Sequence, residues 1–167
     1  MKKDNKIRIL IVDDDKEIRN ILSLFLAEDG EAFIETAGTG EEAFSKHVNA
    51  PYDIVITDIN MPGMTGIELI KKIKTREDII EFIIITGYAS VDTAIEAVRI
   101  GAFDYVVKPF KFDELKIVIN NAKDKVILRK TNKELVKKLK DVYQEIDRYS
   151  KIKIDNQSLD FSILLDE

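Results

Sequence analysis

The sequence predicts an α/β protein in which a parallel sheet carries helices on both faces. Three observations predict it. Short apolar runs alternate with amphipathic stretches, most of the runs are nearly continuous in apolar residues, and helix-start signals precede the amphipathic stretches. Nearly continuous apolar strands are what a sheet covered on both faces requires. With 167 residues, of which 45% are hydrophobic, the chain suits one ordinary domain and an appendage.

The elements follow in order. Ile7–Val12 reads as the first strand, and Lys16–Glu28 as a helix behind the acidic run Asp13-Asp14-Asp15. Ala32–Thr36 is the second strand. Thr39 and Glu42 have capping-box spacing ahead of a helix over Glu41–Val48. Ile54–Thr57 forms the third strand. The turn Pro62-Gly63 follows, and Thr65 with Glu68 repeats the capping-box spacing before a helix over Gly66–Lys74. Phe82–Thr86 is the fourth strand, Ser90 caps a helix over Asp92–Ile100, and Tyr105–Val107 is the fifth strand. A last helix begins near Phe112, with Leu115, Val118, Ile119 and Ala122 suited to covering the sheet, and it continues beyond the size of the domain.

Composition narrows the chemistry. There is no cysteine and one histidine, which excludes disulfides, thiolate nucleophiles and multi-histidine metal sites. A formal net charge of −5 gives no general reason to expect nucleic-acid binding. No run approaches the roughly 20 apolar residues that span a bilayer. Met1 to Lys6 is charged, and the apolar run behind it ends in three aspartates, unlike a signal peptide. A cytoplasmic location is expected.

In an open parallel sheet, ligands gather outside the carboxyl ends of the strands. The first strand ends in Asp13-Asp14-Asp15, the third in Asp58, the fourth in Thr86 and the fifth in Lys108-Pro109. Clustered carboxylates repel one another unless a cation relieves them, and Mg²⁺ suits a site with few carboxylates that keeps several waters. The set is therefore read as a phosphoryl-transfer site. Asp58 is the carboxylate nucleophile, with Mg²⁺, Lys108 and the Thr86 hydroxyl each neutralising one phosphoryl oxygen. Each residue has an ordinary alternative: a helix cap for Asp13–Asp15, an Asx turn for Asp58, a strand end for Thr86 and a solvated charge for Lys108. Their coincidence at one sheet edge favours the site. His47, on the polar pattern "EEAFSKHVN", is expected at the surface, and Gly38-Thr39-Gly40 is a turn because no Gly-Lys-Ser/Thr follows. Tyr88, two residues after Thr86, is expected near the mouth of the site, in a gating or a packing role.

The stretches "ILIVDDD", "DIVITDINMPGMTGIEL", "FIIITGYAS" and "GAFDYVVKPF" resemble the receiver domains of two-component response regulators, in order and spacing, from about Ile7 to Ala122. The look is nearest to receivers of nitrogen-regulatory enhancer-binding activators. The resemblance implies a flavodoxin-like, doubly wound five-stranded sheet of order 2-1-3-4-5. It puts the phosphoacceptor on Asp58, the acidic metal pair on Asp13 and Asp14, and a metal-binding backbone carbonyl on Asn60. The switch hydroxyl falls on Thr86, the phosphate-binding lysine on Lys108 and the switch aromatic on Tyr105. A cis Lys108–Pro109 bond is also implied. Three consecutive aspartates leave a second register, Asp14 with Asp15. Asp13 with Asp14 is preferred because Val12 closes the strand.

Beyond the domain, Leu128, Leu135, Val142 and Tyr149 recur every seven residues, and Leu139 and Ile146 fill the alternate seam with Asn132 and Lys125 at two of its positions. This is the pattern of a short coiled coil, with a helix packed on its own domain as the alternative. The lysines of this stretch alternate with Glu134, Asp141, Glu145 and Asp147, so a solvated face, not a DNA-binding one, is expected. The organisation is thus a receiver over 1–123, a helical extension over 124–150 and a tail of unassigned structure over 151–167. Either a receiver with a helical tail or the front of a longer regulator fits.

The expected function is a non-enzymatic receiver that takes a phosphoryl group on Asp58 from a histidine kinase or phosphotransfer protein, promoting its own phosphorylation and dephosphorylation. A homodimer through the last helix and the fourth-helix, fifth-strand, fifth-helix face is the expected assembly. Two alternatives stand beside it. One is an adaptor that does not use the site. The other is an aspartate-nucleophile phosphatase of haloacid-dehalogenase type, against which Asn60 stands where a second carboxylate belongs, with no room for a cap domain.

Overall fold

A computed structural model describes residues 6–28, 30–76 and 79–160, the last nine of these as helical backbone only. The elements are β1 (Ile7–Val12), α1 (Lys16–Ala27), β2 (Ala32–Ala37), α2 (Gly40–Asn49), β3 (Ile54–Thr57), α3 (Gly66–Lys74), β4 (Glu81–Thr86), α4 (Val91–Arg99), β5 (Asp104–Val107) and α5 (Phe112–Asp160). The strands lie in the order β2-β1-β3-β4-β5 and every pairing is parallel, the doubly wound flavodoxin-like arrangement. The chain divides into two compact units, Met1–Ile127 and Leu128–Glu167.

In the first unit, strand alternation builds two cores. Leu10, Val12, Val55, Phe82 and Ile84 face α2, α3 and α4, where Ala43, Leu69, Ile70, Ile73 and Ala97 meet them. Ile9, Ile11, Ile54, Ile56, Ile83 and Ile85 point to the other face, onto Leu22 and Leu26 of α1 and Leu115, Ile119, Ala122 and Val126 of α5. Period-two alternation fixes register here, because a slip of one residue would exchange the two faces of a strand. Burying a side chain of this kind contributes about 1.5–3 kcal/mol.

The caps form as the spacing predicts, with one difference. Thr65 and Glu68 close a full capping box, and Ser90 accepts the backbone N–H of Thr93. Thr39 also accepts from the N–H of Glu42, but the Glu42 carboxylate turns to Gly38 N–H (2.8 Å) and Lys46 Nζ (2.9 Å), leaving the box half-made. These bonds, with Lys46 beside it, hold the Glu42 pKa below the ordinary carboxylate value.

Lys125, at a seam position by heptad spacing, turns toward the first unit. Its ammonium lies 3.1 Å from Glu81, a buried carboxylate at the start of β4, and 5.1 Å from the Phe103 ring centroid. The heptad spacing continues back through Lys125, which also supplies a counter-charge to a buried carboxylate. With Val126 also buried, the first unit extends past residue 123 to Ile127.

In the second unit, α5 continues as helix to Asp160, so helix covers the first ten residues of the tail. All described side chains from Thr131 to Lys151 are exposed, including Leu135, Leu139, Val142, Ile146 and Tyr149. The apolar run Phe161, Ile163, Leu164 and Leu165 lies outside the described residues, as do the side chains of Ile152 and Ile154.

Candidate functional site

The order of the strands puts the site at the carboxyl ends of β1 and β3. The chain leaves β1 toward β2 and returns on its other side as β3, which opens a crevice between the two strand ends. Val12 pairs with Thr57, so Asp13 and Asp58 emerge at the same level. The Asp58 backbone N–H donates to the Val12 carbonyl at 2.9 Å and so anchors the end of β3 to its neighbour.

Two glycines serve this edge. Gly63 holds φ at +79° in the turn after the strand, a conformation L side chains rarely adopt. At Gly66 the start of α3 comes so close to the Asp58 carbonyl that a Cβ would lie 2.0 Å from its oxygen. A side chain at 66 would therefore push directly on the backbone of Asp58.

Oxygen atoms of Asp13, Asp14 and Asp58 lie within 4.8 Å of one another. Asp13 and Asp58 are buried and Asp14 is exposed. The Lys108 ammonium reaches in from the end of β5, 2.6 Å from Asp13 Oδ2 and 3.0 Å from Asp58 Oδ2. Burial disfavours the Lys108 charge, but bonds to Asp13 and Asp58, with their charges, outweigh it and raise the lysine pKa. One ammonium against three carboxylates leaves the cluster net negative, as a divalent-cation site requires.

The third aspartate has a different task. Asp15 is the N-cap of α1, and its Oδ1 accepts the N–H groups of Glu17 (2.8 Å) and Ile18 (3.4 Å). Its own N–H donates to Asp13 Oδ1 at 2.9 Å. The carboxylates that converge with Asp58 are those of Asp13 and Asp14. Arg19 adds a support that the sequence pattern did not single out, donating from Nη1 to the Asp13 carbonyl at 2.5 Å.

The Asn60 N–H donates to Asp58 Oδ1 at 3.2 Å, which turns the chain back over that carboxylate. Thr86 is fully buried, and its hydroxyl accepts the Tyr88 N–H at 3.2 Å. Tyr88 itself is exposed. Tyr105 is half-buried, and its hydroxyl lies 2.8 Å from Thr93 Oγ1. The Lys108–Pro109 peptide is cis.

His47 corrects an expectation. It is fully buried, on the stripe Gly40, Ala43 and His47 that α2 turns inward, and its Nδ1 accepts the Tyr52 N–H at 3.3 Å. The polar neighbours "EE" and "SK" occupy the outer face of that helix and conceal the i, i+3, i+7 spacing of the buried stripe.

Residues 9–120 match the family described as the response regulator receiver domain. The chain belongs to this family. The receiver is 44% identical over 117 residues to the regulatory protein AtoC of Escherichia coli, a match covering 69% of this chain and 25% of AtoC. It is 38% identical over 114 residues to the DNA-binding transcriptional regulator NtrC of Salmonella typhimurium, covering 68% of this chain and 24% of NtrC. The matched stretch thus spans about a quarter of these curated relatives. Among solved structures, the response regulator TrrA of Thermotoga maritima, determined in complex with Mg(2+)-BeF, is 40% identical with a TM-score of 0.62. That match covers 70% of this chain and 98% of TrrA. Both curated relatives are named as regulators.

Proposed function

We propose that this receiver accepts a phosphoryl group on Asp58 from a phosphohistidine of a partner kinase or phosphotransfer protein, and that the event changes its conformation and self-association. The observation that carries the reading is the meeting of Asp13, Asp14, Asp58 and Lys108 at the carboxyl edge of the sheet. An Asp58 carboxylate oxygen attacks phosphorus, the P–N bond to the donor imidazole breaks, and the electron pair leaves with the imidazole nitrogen. Such transfers depend on placement and on neutralising the equatorial oxygens. Lys108 is placed to meet one oxygen as it exchanges its bond to Asp58 for one to the phosphoryl group. Thr86, whose hydroxyl accepts the Tyr88 N–H, has its own proton to donate to another.

The three carboxylates, net negative even with Lys108 among them, fit Mg²⁺. Asp13, Asp14, Asp58 and the Asn60 carbonyl would hold it, and when bound it supplies charge neutralisation at a third oxygen. The complex of TrrA with Mg(2+)-BeF supports this assignment by likeness.

When Thr86 moves toward the phosphoryl group, space opens for Tyr105 to turn inward. The leverage of the phosphoryl group equals the difference in its bonding between the two arrangements. In the second unit the exposed residues Leu128, Leu135, Leu139, Val142, Ile146 and Tyr149 form a seam of about three heptads, with Asn132 at one seam position. A helix with such a seam is marginal alone and gains by pairing with a second copy, for which Asn132 favours a parallel, in-register dimer. The α4-β5-α5 face of the receiver is the second surface through which phosphorylation acts on this pairing.

The test is intact-mass measurement after exposure to acetyl phosphate. One labile phosphoryl adduct is expected with Mg²⁺, far less in EDTA, and none in Asp58→Asn. An undiminished adduct in that variant overturns the assignment.

A further inference from the structure

Thr93, in the first turn of α4, joins two parts of the receiver through one oxygen. Its hydroxyl accepts the Ser90 backbone N–H at 3.0 Å, donates to the Ser90 carbonyl at 3.0 Å, lies 3.1 Å from Ser90 Oγ and 2.8 Å from the Tyr105 hydroxyl. A hydroxyl has one proton and two lone pairs, so it satisfies three neighbours well and not four. With its proton on the Ser90 carbonyl, it accepts from the Ser90 N–H and from Tyr105, leaving Ser90 Oγ to take the Thr93 N–H at 3.1 Å. The tyrosine is thus tied into the capping box that starts α4.

On the other side, the Tyr105 ring packs against the core shared with Ile84 and Ala97. The Thr86 hydroxyl is held by the Tyr88 N–H, in the loop that leads to Ser90. In this arrangement Lys108 is bonded to Asp13 and Asp58, and the Thr86 hydroxyl is bonded away along its own loop. The same arrangement has the phenol on Thr93.

We propose that Thr93 is a positioning residue that sets the threshold of the switch, its hydroxyl holding Tyr105 in the resting arrangement and coupling the ring to the cap of α4. The proposal rests on the roles given to Thr86 and Tyr105 above and adds a residue to them. For Tyr105 to turn, the bond to Thr93 must break, and the Thr93 hydroxyl then returns wholly to the cap. The first turn of α4, which carries the exposed Val91 and lies beside the exposed Tyr88, therefore feels the position of a ring on the neighbouring strand. A bond present in only one of two states shifts their balance by its own net strength.

Thr93→Val keeps the branched shape and removes the hydroxyl. Binding of beryllofluoride with Mg²⁺ is followed by the backbone amide signals of Val91 to Ala94 in a two-dimensional NMR titration. The expected midpoint in T93V falls about three- to tenfold, the range of one ordinary hydrogen bond. Thr93→Ser restores the wild-type midpoint, Tyr105→Phe matches T93V, and the double variant T93V/Y105F moves no further than either single one. A merely structural loss at the helix start would shift the midpoint in T93V whether or not Tyr105 had its hydroxyl. A wild-type midpoint in T93V, or full additivity in the double variant, overturns the proposal. Should T93V fail to fold, Y105F deletes the same bond while leaving the cap hydroxyl in place, and an unchanged midpoint there overturns it equally. A wild type that gives no response to beryllofluoride overturns the receiver reading together with this one, which separates the two failures.

Discussion

Replacing Lys108 by methionine removes the ammonium from between Asp13 and Asp58 while keeping most of the apolar length of the side chain. The two carboxylate side chains are only 4% and 9% exposed, and Lys108 lies 2.6 and 3.0 Å from them. Stripping one partner from a buried ion pair costs about 3–5 kcal/mol. The exposed Asp14 beside them leaves a route for water and counterions, so the low end applies, about 3 kcal/mol. For a domain of this size that lowers the melting temperature by about 10 °C. Thermal unfolding in EDTA at neutral pH measures it. Mg²⁺ should then recover more stability in the variant than in the wild type, since a cation in hundredfold excess over its Kd adds about 2.7 kcal/mol and binds a more negative cluster better. The pH dependence supplies an independent arm. The Lys108 pKa is raised above 10.5, so its contribution is complete at neutral pH and is lost as the pH rises through the folded-state value. Wild type and variant should therefore converge at strongly alkaline pH. A variant that melts with the wild type in EDTA refutes the claim that Lys108 holds this cluster together.

Three further outcomes follow from the same geometry. Asp14→Ala should weaken Mg²⁺ binding at least tenfold by order of magnitude, whereas Asp15→Ala should cost about 1 kcal/mol of stability as a lost helix cap and leave the metal in place. A calorimetric titration that reverses the two would move the acidic pair by one residue. Tyr52, whose pKa burial and then the bond to Glu35 push up to about 12, should cost the wild type stability as the pH rises from about 10 to about 12, because the folded state keeps a proton the unfolded chain gives up. Tyr52→Phe should remove that component in alkaline denaturation curves, and an identical slope would contradict it. Leu135→Asp, at an exposed seam position, should abolish concentration-dependent association in light scattering while leaving phosphorylation intact. A wild type that stays monomeric at every concentration, with and without phosphodonor, would remove the dimer.

The parts of the site that were legible in the sequence are those that topology alone positions. Asp13, Asp58, Thr86 and Lys108 each stand at the end of an apolar run, and a parallel sheet brings such ends to one edge whatever the side chains do. The register of the acidic pair needed more, because three adjacent aspartates look alike until one carboxylate turns to cap a helix. Asp15 makes that turn, and its N–H holds Asp13 in the process. His47 was misjudged because its helix buries a narrow stripe of small residues, which hydropathy hardly registers. Lys125 fits a heptad spacing, and its bond to the buried Glu81, 44 positions earlier in the chain, had no local signal. Thr93 had no local signal beyond its place three after Ser90. Its significance comes from Tyr105, on a strand that only the fold brings alongside.

The central claim is that Asp58 carries the phosphoryl group. Borohydride reduces an aspartyl phosphate to homoserine, leaving an ordinary aspartate untouched, so peptide mapping after phosphorylation and reduction reads the position directly. The account predicts homoserine at position 58 in the peptide that spans β3, with aspartate retained at 13, 14 and 15. Homoserine at any of those three positions, or none at 58 when the intact protein carries the adduct, would contradict it.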